Sequence, residues 1–188
     1  MKKHLFLFVT GIFLGLMSCK TTSTCPEFDE IILTWTPYQE NDEIELYSQS
    51  KDSTIIFSIT RVEINHTTHY EYGTKCGGCS DEIFINNYNS DFYVEIYLSD
   101  RITGHQSYKI IDTYFSTYSE IKNYLFESKE YDLVRIFETN GSKGKFRKLI
   151  LAKEIGIIGL IDINGNSWVL KTNAPIKKPN IMINKTSC

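Results

Sequence analysis

The chain is predicted to be mainly β: an antiparallel curved sheet, closed as a half-barrel or a sandwich, with one short helix. Three observations predict it. Apolar residues alternate with polar ones at a period of two through most of the sequence. Residues that pack well on a pleated surface are abundant, with 12 Tyr and 11 Phe in 188 residues. Near the end, Asn164-Gly165 separates an apolar run from a second short one, a strong hairpin signal.

Ile44 with Leu46 suggests the first strand. Ile55, Phe57 and Ile59 form the next, and then the phase slips to Val62 and Ile64, which predicts a bulge or bend near Thr60-Arg61. Ile83 with Ile85 marks another strand. Phe92, Val94, Ile96 and Leu98 alternate with Tyr93, Glu95, Tyr97 and Ser99, the cleanest half-buried strand in the chain. Ile111 with Phe115, Val134 with Ile136, and Leu149 with Leu151 add further strands. Residues 155–163 are almost wholly apolar, as in a strand covered on both faces. Asn164-Gly165 then predicts a two-residue turn, with the chain returning through residues 167–171. One segment departs from this pattern. Ile121, Tyr124 and Leu125 recur at helical spacing and Thr117 to Glu120 matches a capping box, which predicts a helix near 118–127. The stretch 174–188, with Pro175 and Pro179, is expected to lie along the surface.

The first residues carry an address. Met1-Lys2-Lys3 is basic, residues 5–17 are apolar but too few to span a bilayer, and Leu16-Met17-Ser18-Cys19 reads as a cleavage site. This ending resembles the lipobox of bacterial lipoproteins. The resemblance implies diacylation of the Cys19 sulfur, removal of residues 1–18 and a membrane partner reached through lipid. It divides the chain into a signal peptide (1–18), an anchor and tether (19–30) and a single β-rich domain (31–188). Lys20 follows the lipid-bearing position, where Asp would suggest inner-membrane retention by analogy with enterobacterial lipoproteins, so the outer membrane is favoured. Without Lys2 and Lys3, 18 basic residues face 23 acidic ones, a net charge of about −5 that argues against a nucleic-acid partner.

His66-x-x-His69 and Cys76-Gly-Gly-Cys79 form the sharpest constellation. Two imidazoles and two thiolates suit tetrahedral zinc. Against this, histidines three apart on a strand face opposite ways, and an exported chain meets an oxidising compartment where thiols pair. Cys25, Cys76, Cys79 and Cys188 make an even set once Cys19 is lipidated; the expected bridges are Cys76–Cys79 and Cys25–Cys188, among three connectivities. Cys76 and Cys79 also read as a thioredoxin-type redox pair. That chemistry needs a helix amino terminus to lower the thiol pKa, and Ser80-Asp81-Glu82-Ile83 reads as a turn entering a strand. Asp162-x-Asn164-Gly165-Asn166 suggests a calcium loop but lacks the acid at the twelfth position, so a hairpin turn is preferred. There is neither Gly-x-Ser-x-Gly nor His-Glu-x-x-His, and no catalytic residue is assigned.

The lipobox, the β body, Trp35-Thr-Pro-Tyr38 and the ending from Ala152-Lys-Glu-Ile-Gly to Trp168-Val-Leu170 resemble small uncharacterised lipoproteins of the Bacteroidota. What the resemblance implies is fold and address. The β body is also similar, at the level of fold analogy, to the curved half-open sheet of periplasmic lipoprotein carriers. The expected function is a non-catalytic binding or scaffolding role at the envelope, with no cofactor. Its partner would be an apolar ligand or an envelope protein. Phe57, Phe92, Val94 and Ile96 could line a concave ligand site or simply fill a closed core. The alternatives are a zinc-binding protein using His66, His69, Cys76 and Cys79, and a thiol oxidoreductase using Cys76 and Cys79.

Overall fold

A strand with one apolar face must bury that face against another layer, and here two sheets do this for each other. The structure, a computed structural model, describes residues 30–69, 78–87, 89, 91–99, 103–139, 144–171 and 183–186. A 3₁₀ helix, Glu30–Trp35, leads into β1 (Glu43–Ser48), β2 (Ser53–Ser58), β3 (Arg61–His69), β4 (Gly78–Asn86), β5 (Phe92–Ser99), β6 (Thr103–Ile110) and β7 (Thr113–Phe115). There follow β8 (Tyr118–Phe126), β9 (Lys129–Glu138), β10 (Phe146–Ala152), β11 (Gly156–Asp162), β12 (Ser167–Leu170) and β13 (Ile183–Thr186). One sheet has the order β2-β1-β12-β11-β10-β9-β8, the other β13-β3-β4-β5-β6-β7. Sequence neighbours pair throughout β3 to β7 and again throughout β8 to β12. β12 then pairs with β1, Leu46 opposite Leu170. The pairing of β13 on β3 is the parallel one among the described residues.

The chain changes sheet after β2, after β7 and after β12, and the first two crossings are corners within the described residues. The phase slip after Ile59 falls at the first, where β2 ends and β3 begins. There the Ile59 N–H donates to the Asp42 carbonyl at 2.8 Å and the Thr60 N–H to the Asn86 carbonyl at 3.0 Å. Each sheet therefore takes one bond from the corner, and the slip marks a change of sheet. At the second corner β7 leads into β8. Buried Thr113 accepts the Phe146 N–H at its Oγ1 (3.1 Å), and the Lys145 N–H donates to Asp112 (2.8 Å).

Between the sheets lies one apolar cluster, to which Leu46, Phe57 and Leu149 contribute from one side and Ile64, Phe92 and Tyr108 from the other. The Phe92 ring lies 5.3 Å from that of Phe57 and 6.1 Å from that of Tyr38. Each such side chain withdrawn from water stabilises the fold by roughly 1.5–3 kcal/mol. β11 is buried on both faces, as its composition predicts. Ile157 and Leu160 join the interior, whereas Ile158 joins a second cluster on the outer face with Phe126, Tyr131, Val134 and Ile150. A Cβ at Gly159 would come within 2.4 Å of the Phe126 ring, so bare backbone there lets the β8–β9 hairpin lie down over its own sheet.

Two expectations need correction. Residues 118–127 are not helical: they form β8 and its turn. A lone helix of about nine residues gains little from its own hydrogen bonds, whereas β9 offers a ladder from Tyr118–Phe137 to Phe126–Lys129, interrupted only at Asn123. Glu127 and Ser128, at φ 47° and 67°, close it in a two-residue turn. The helically spaced Ile121 and Leu125 are left exposed. The Asn164-Gly165 hairpin is also longer than two residues. The Gly165 N–H donates to the Asp162 carbonyl and the Asp162 N–H to the Asn166 carbonyl, both at 3.0 Å, which encloses a three-residue loop ending on Gly165 at φ 83°.

Candidate functional site

His66 and His69 lie on one unbroken strand, β3, in register with Asp81 and Gly78. Three residues of strand put the two histidine positions on opposite faces, so they do not converge. His66 instead meets Asp81: its Nδ1 lies 2.5 Å from the carboxylate, with both side chains largely buried. Two residues before Asp81, and on the same face of β4, Cys79 is disulfide-bonded. A disulfide sulfur has no thiolate charge to offer a metal. No group of three or more His, Cys, Asp or Glu side chains suited to a metal ion occurs among the described residues. Cys79 sits inside a strand and not at a helix amino terminus, which removes the local field that activates a thioredoxin-type thiol. Cys19, Cys25, Cys76 and Cys188 lie outside the described residues, and so do both ends of the bridge proposed between Cys25 and Cys188.

A second polar cluster was not anticipated from the sequence. Arg135, in the middle of β9, holds its guanidinium 4.1 Å from the Trp35 ring and 4.4 Å from the Tyr118 ring. The same group donates to Glu120 Oε1 and to Gln106 Oε1, each at 2.8 Å. Gln106 Nε2 in turn donates to the Tyr108 hydroxyl at 2.5 Å. One cation thereby connects both sheets and the 3₁₀ helix, and its charge is met by two aromatic faces and a carboxylate. Burial pushes the Tyr108 hydroxyl well above its ordinary pKa, and the nearby Tyr38 adds to this against the pull of Arg135. Tyr108 therefore stays neutral and serves as a hydrogen-bond partner. The sequence did hold a signal: Gln106 and Arg135 occupy inward positions in register with Ile96 and Leu151. A polar residue at an inward position requires a partner there.

Another buried polar group, Asp162, serves a turn. The Asp162 carboxylate accepts the N–H groups of Asn164 (2.8 Å) and Asn166 (2.9 Å) and the Asn166 side-chain amide (2.8 Å). Its partial burial raises the pKa, but these bonds and the Lys51 charge outweigh that and leave it lowered. The calcium-loop reading is thereby answered by geometry, since the acid caps its own turn. A carboxyl held below its unfolded value contributes stability above about pH 4, and that contribution is lost as the pH falls through the folded pKa. Asp162→Ala is expected to cost about 1–3 kcal/mol at pH 7, and the gap from wild type should close toward pH 2. Urea unfolding at both pH values checks it; a gap that is constant with pH would remove the carboxylate from the account.

A groove of about 650 Å³ runs between the hairpin tip at Glu127 and the β1–β12 seam, lined by Tyr47, Ser50, Asn166, Val169 and Lys171. Phe57, Phe92, Val94 and Ile96, the residues suggested for a concave ligand site, are packed into the interior cluster, none more than 4% exposed. Large apolar side chains that do face solvent gather on β8: Tyr118, Ile121 and Leu125. No family model, no curated protein and no solved structure matches this chain.

Proposed function

We propose that this chain is a lipid-anchored module of the bacterial envelope, placed in the outer membrane by its Lys20, with a non-catalytic binding or scaffolding role.

 The observation that carries the non-catalytic half is the commitment of Arg135 and Asp162. Arg135 is held by Trp35, Tyr118, Glu120 and Gln106, and Asp162 by its own turn. Groups bound in this way fix the fold and leave little for proton transfer. The packing of Phe57, Phe92, Val94 and Ile96 favours a protein partner over an apolar ligand held between the sheets. The anchoring half rests on the leader and on Cys19, whose sulfur would carry the lipid.

Expressed with its signal in a bacterial host, the protein should fractionate with membranes. Cys19→Ala should release it or leave it unprocessed, with the intact mass changed by the missing acyl chains. Unchanged partitioning and an unchanged lipid mass would overturn the anchor.

A second reading has one observation in its favour. A histidine oriented by a buried carboxylate, as His66 is by Asp81, is also how metal-binding imidazoles are held. Elemental analysis of protein purified without chelator separates the two readings. One zinc per chain, lost in His66→Ala and bound only once the Cys79 disulfide is reduced, would replace scaffolding by metal binding.

A further inference from the structure

We infer that the free edge of β8 is a homophilic docking strand, pairing antiparallel with β8 of a second copy about a two-fold axis at Ile121. The inference goes beyond the anchored module proposed above and stands without it.

Among the described residues β8 ends its sheet, and the six residues from Tyr118 to Asn123 are all exposed. Its hydrogen-bonding phase follows from β9. The Lys153 N–H donates to the Leu133 carbonyl and the Thr139 N–H to the Arg147 carbonyl, so residues 133, 135 and 137 bond β10 while 134 and 136 bond β8. Ser119–Ile136 and Ile121–Val134 are therefore the bonded pairs, and the N–H and C=O groups of Glu120 and Lys122 turn toward the free edge. A second β8 can bond there only by setting its own outward residues against these.

Charge then selects one register. An axis at Glu120 sets Glu120 against itself, and an axis at Lys122 sets Lys122 against itself; like charges directly opposite are destabilising. An axis at Ile121 sets Glu120 against Lys122 of the second copy and Lys122 against its Glu120. Ile121 then meets Ile121. The strand is self-complementary in this register, which is what an isologous contact requires and what a foreign strand would have no reason to match. Asn123, at φ 51°, bends the edge, so the ladder is centred on residues 120–122 and the contact is small.

Sedimentation of the purified full chain in detergent tests this at concentrations up to roughly 0.5 mM, suited to a weak contact. Wild type should form dimers. Lys122→Glu and Glu120→Lys should each be monomeric alone, because each sets like charges opposite. Mixed in equal amounts they should form a heterodimer, since every Glu then faces a Lys. Glu120→Lys also takes a partner from Arg135, so circular dichroism checks its fold, and a second measurement avoids it. Ile121→Cys, at the axis, should oxidise to a covalent dimer at least about tenfold faster than Leu125→Cys. Leu125 is the more exposed of the two, 67% against 38%, so chance collision predicts the opposite order. Monomeric wild type, a folded mixture that stays monomeric, or Leu125→Cys crosslinking as fast as Ile121→Cys would each overturn the proposal.

Discussion

Tyr108→Ala is expected to destabilise the protein by about 3–5 kcal/mol, a large share of the 5–15 kcal/mol typical of a domain. Tyr108 is fully buried and its ring lies 5.0 Å from that of Phe137 in an edge-to-face contact. Truncation removes that contact and opens a cavity between the sheets. It also leaves Gln106 Nε2 without its acceptor, at a residue whose other amide atom holds Arg135. Tyr108→Phe separates the two contributions: it keeps the ring, loses the acceptor, and should cost about 1–2 kcal/mol. Urea midpoints of the three proteins check both figures. If Tyr108→Phe costs as much as Tyr108→Ala, the hydrogen-bonded network and not the ring carries the stability.

Gly156→Ala should cost about 2–4 kcal/mol, although it adds a single methyl group. The backbone at Gly156 has φ 80°, a region that an L side chain enters with strain. The added Cβ would also lie 2.3 Å from the Tyr38 hydroxyl, which accepts the Ile157 N–H at 2.6 Å. Tyr38 is buried, and that burial pushes its hydroxyl far above the usual tyrosine pKa, so it remains a neutral acceptor. Either the turn between β10 and β11 shifts or Tyr38 leaves its place. A double-mutant cycle with Tyr38→Ala distinguishes steric conflict from backbone strain: the conflict vanishes in the double variant, while the strain persists. Full additivity would show that Tyr38 and Gly156 do not compete for space.

The β class was legible because burial here follows period two closely. In β5, Phe92, Val94 and Ile96 are buried and their intervening neighbours are not. β11 was legible for the opposite reason, since continuous apolarity means cover on both sides. The helix expected at 118–127 misled because Ile121, Tyr124 and Leu125 have a helical period without being a buried face. Periodicity reports burial, and on a strand whose apolar residues face solvent it reports nothing. The Asn-Gly turn was legible in place but not in length, because Asp162 competes for its N–H groups. The polar sites were the least legible. His66 was singled out for its spacing from His69, yet its partner is Asp81, brought opposite by the β3–β4 register. Arg135 needed knowledge of the corner at β7–β8, which joins residues far apart in sequence.

The seam between β1 and β12 has a consequence for the order in which the molecule assembles. Neighbouring strands from β3 to β12 can join through short loop closures, each costing little entropy. The seam cannot: Lys171 reaches Glu45 across 126 residues, and the Tyr38 hydroxyl meets the Ile157 N–H across 119. Contacts of that span retard folding, because the chain between them must be ordered before they return any energy. Leu46 and Leu170 therefore stay wet until the meander has largely formed. During that interval the edges of β1 and β12 are unpaired and open to other chains. The nascent protein is thus most vulnerable to aggregation at a surface that the finished fold no longer displays.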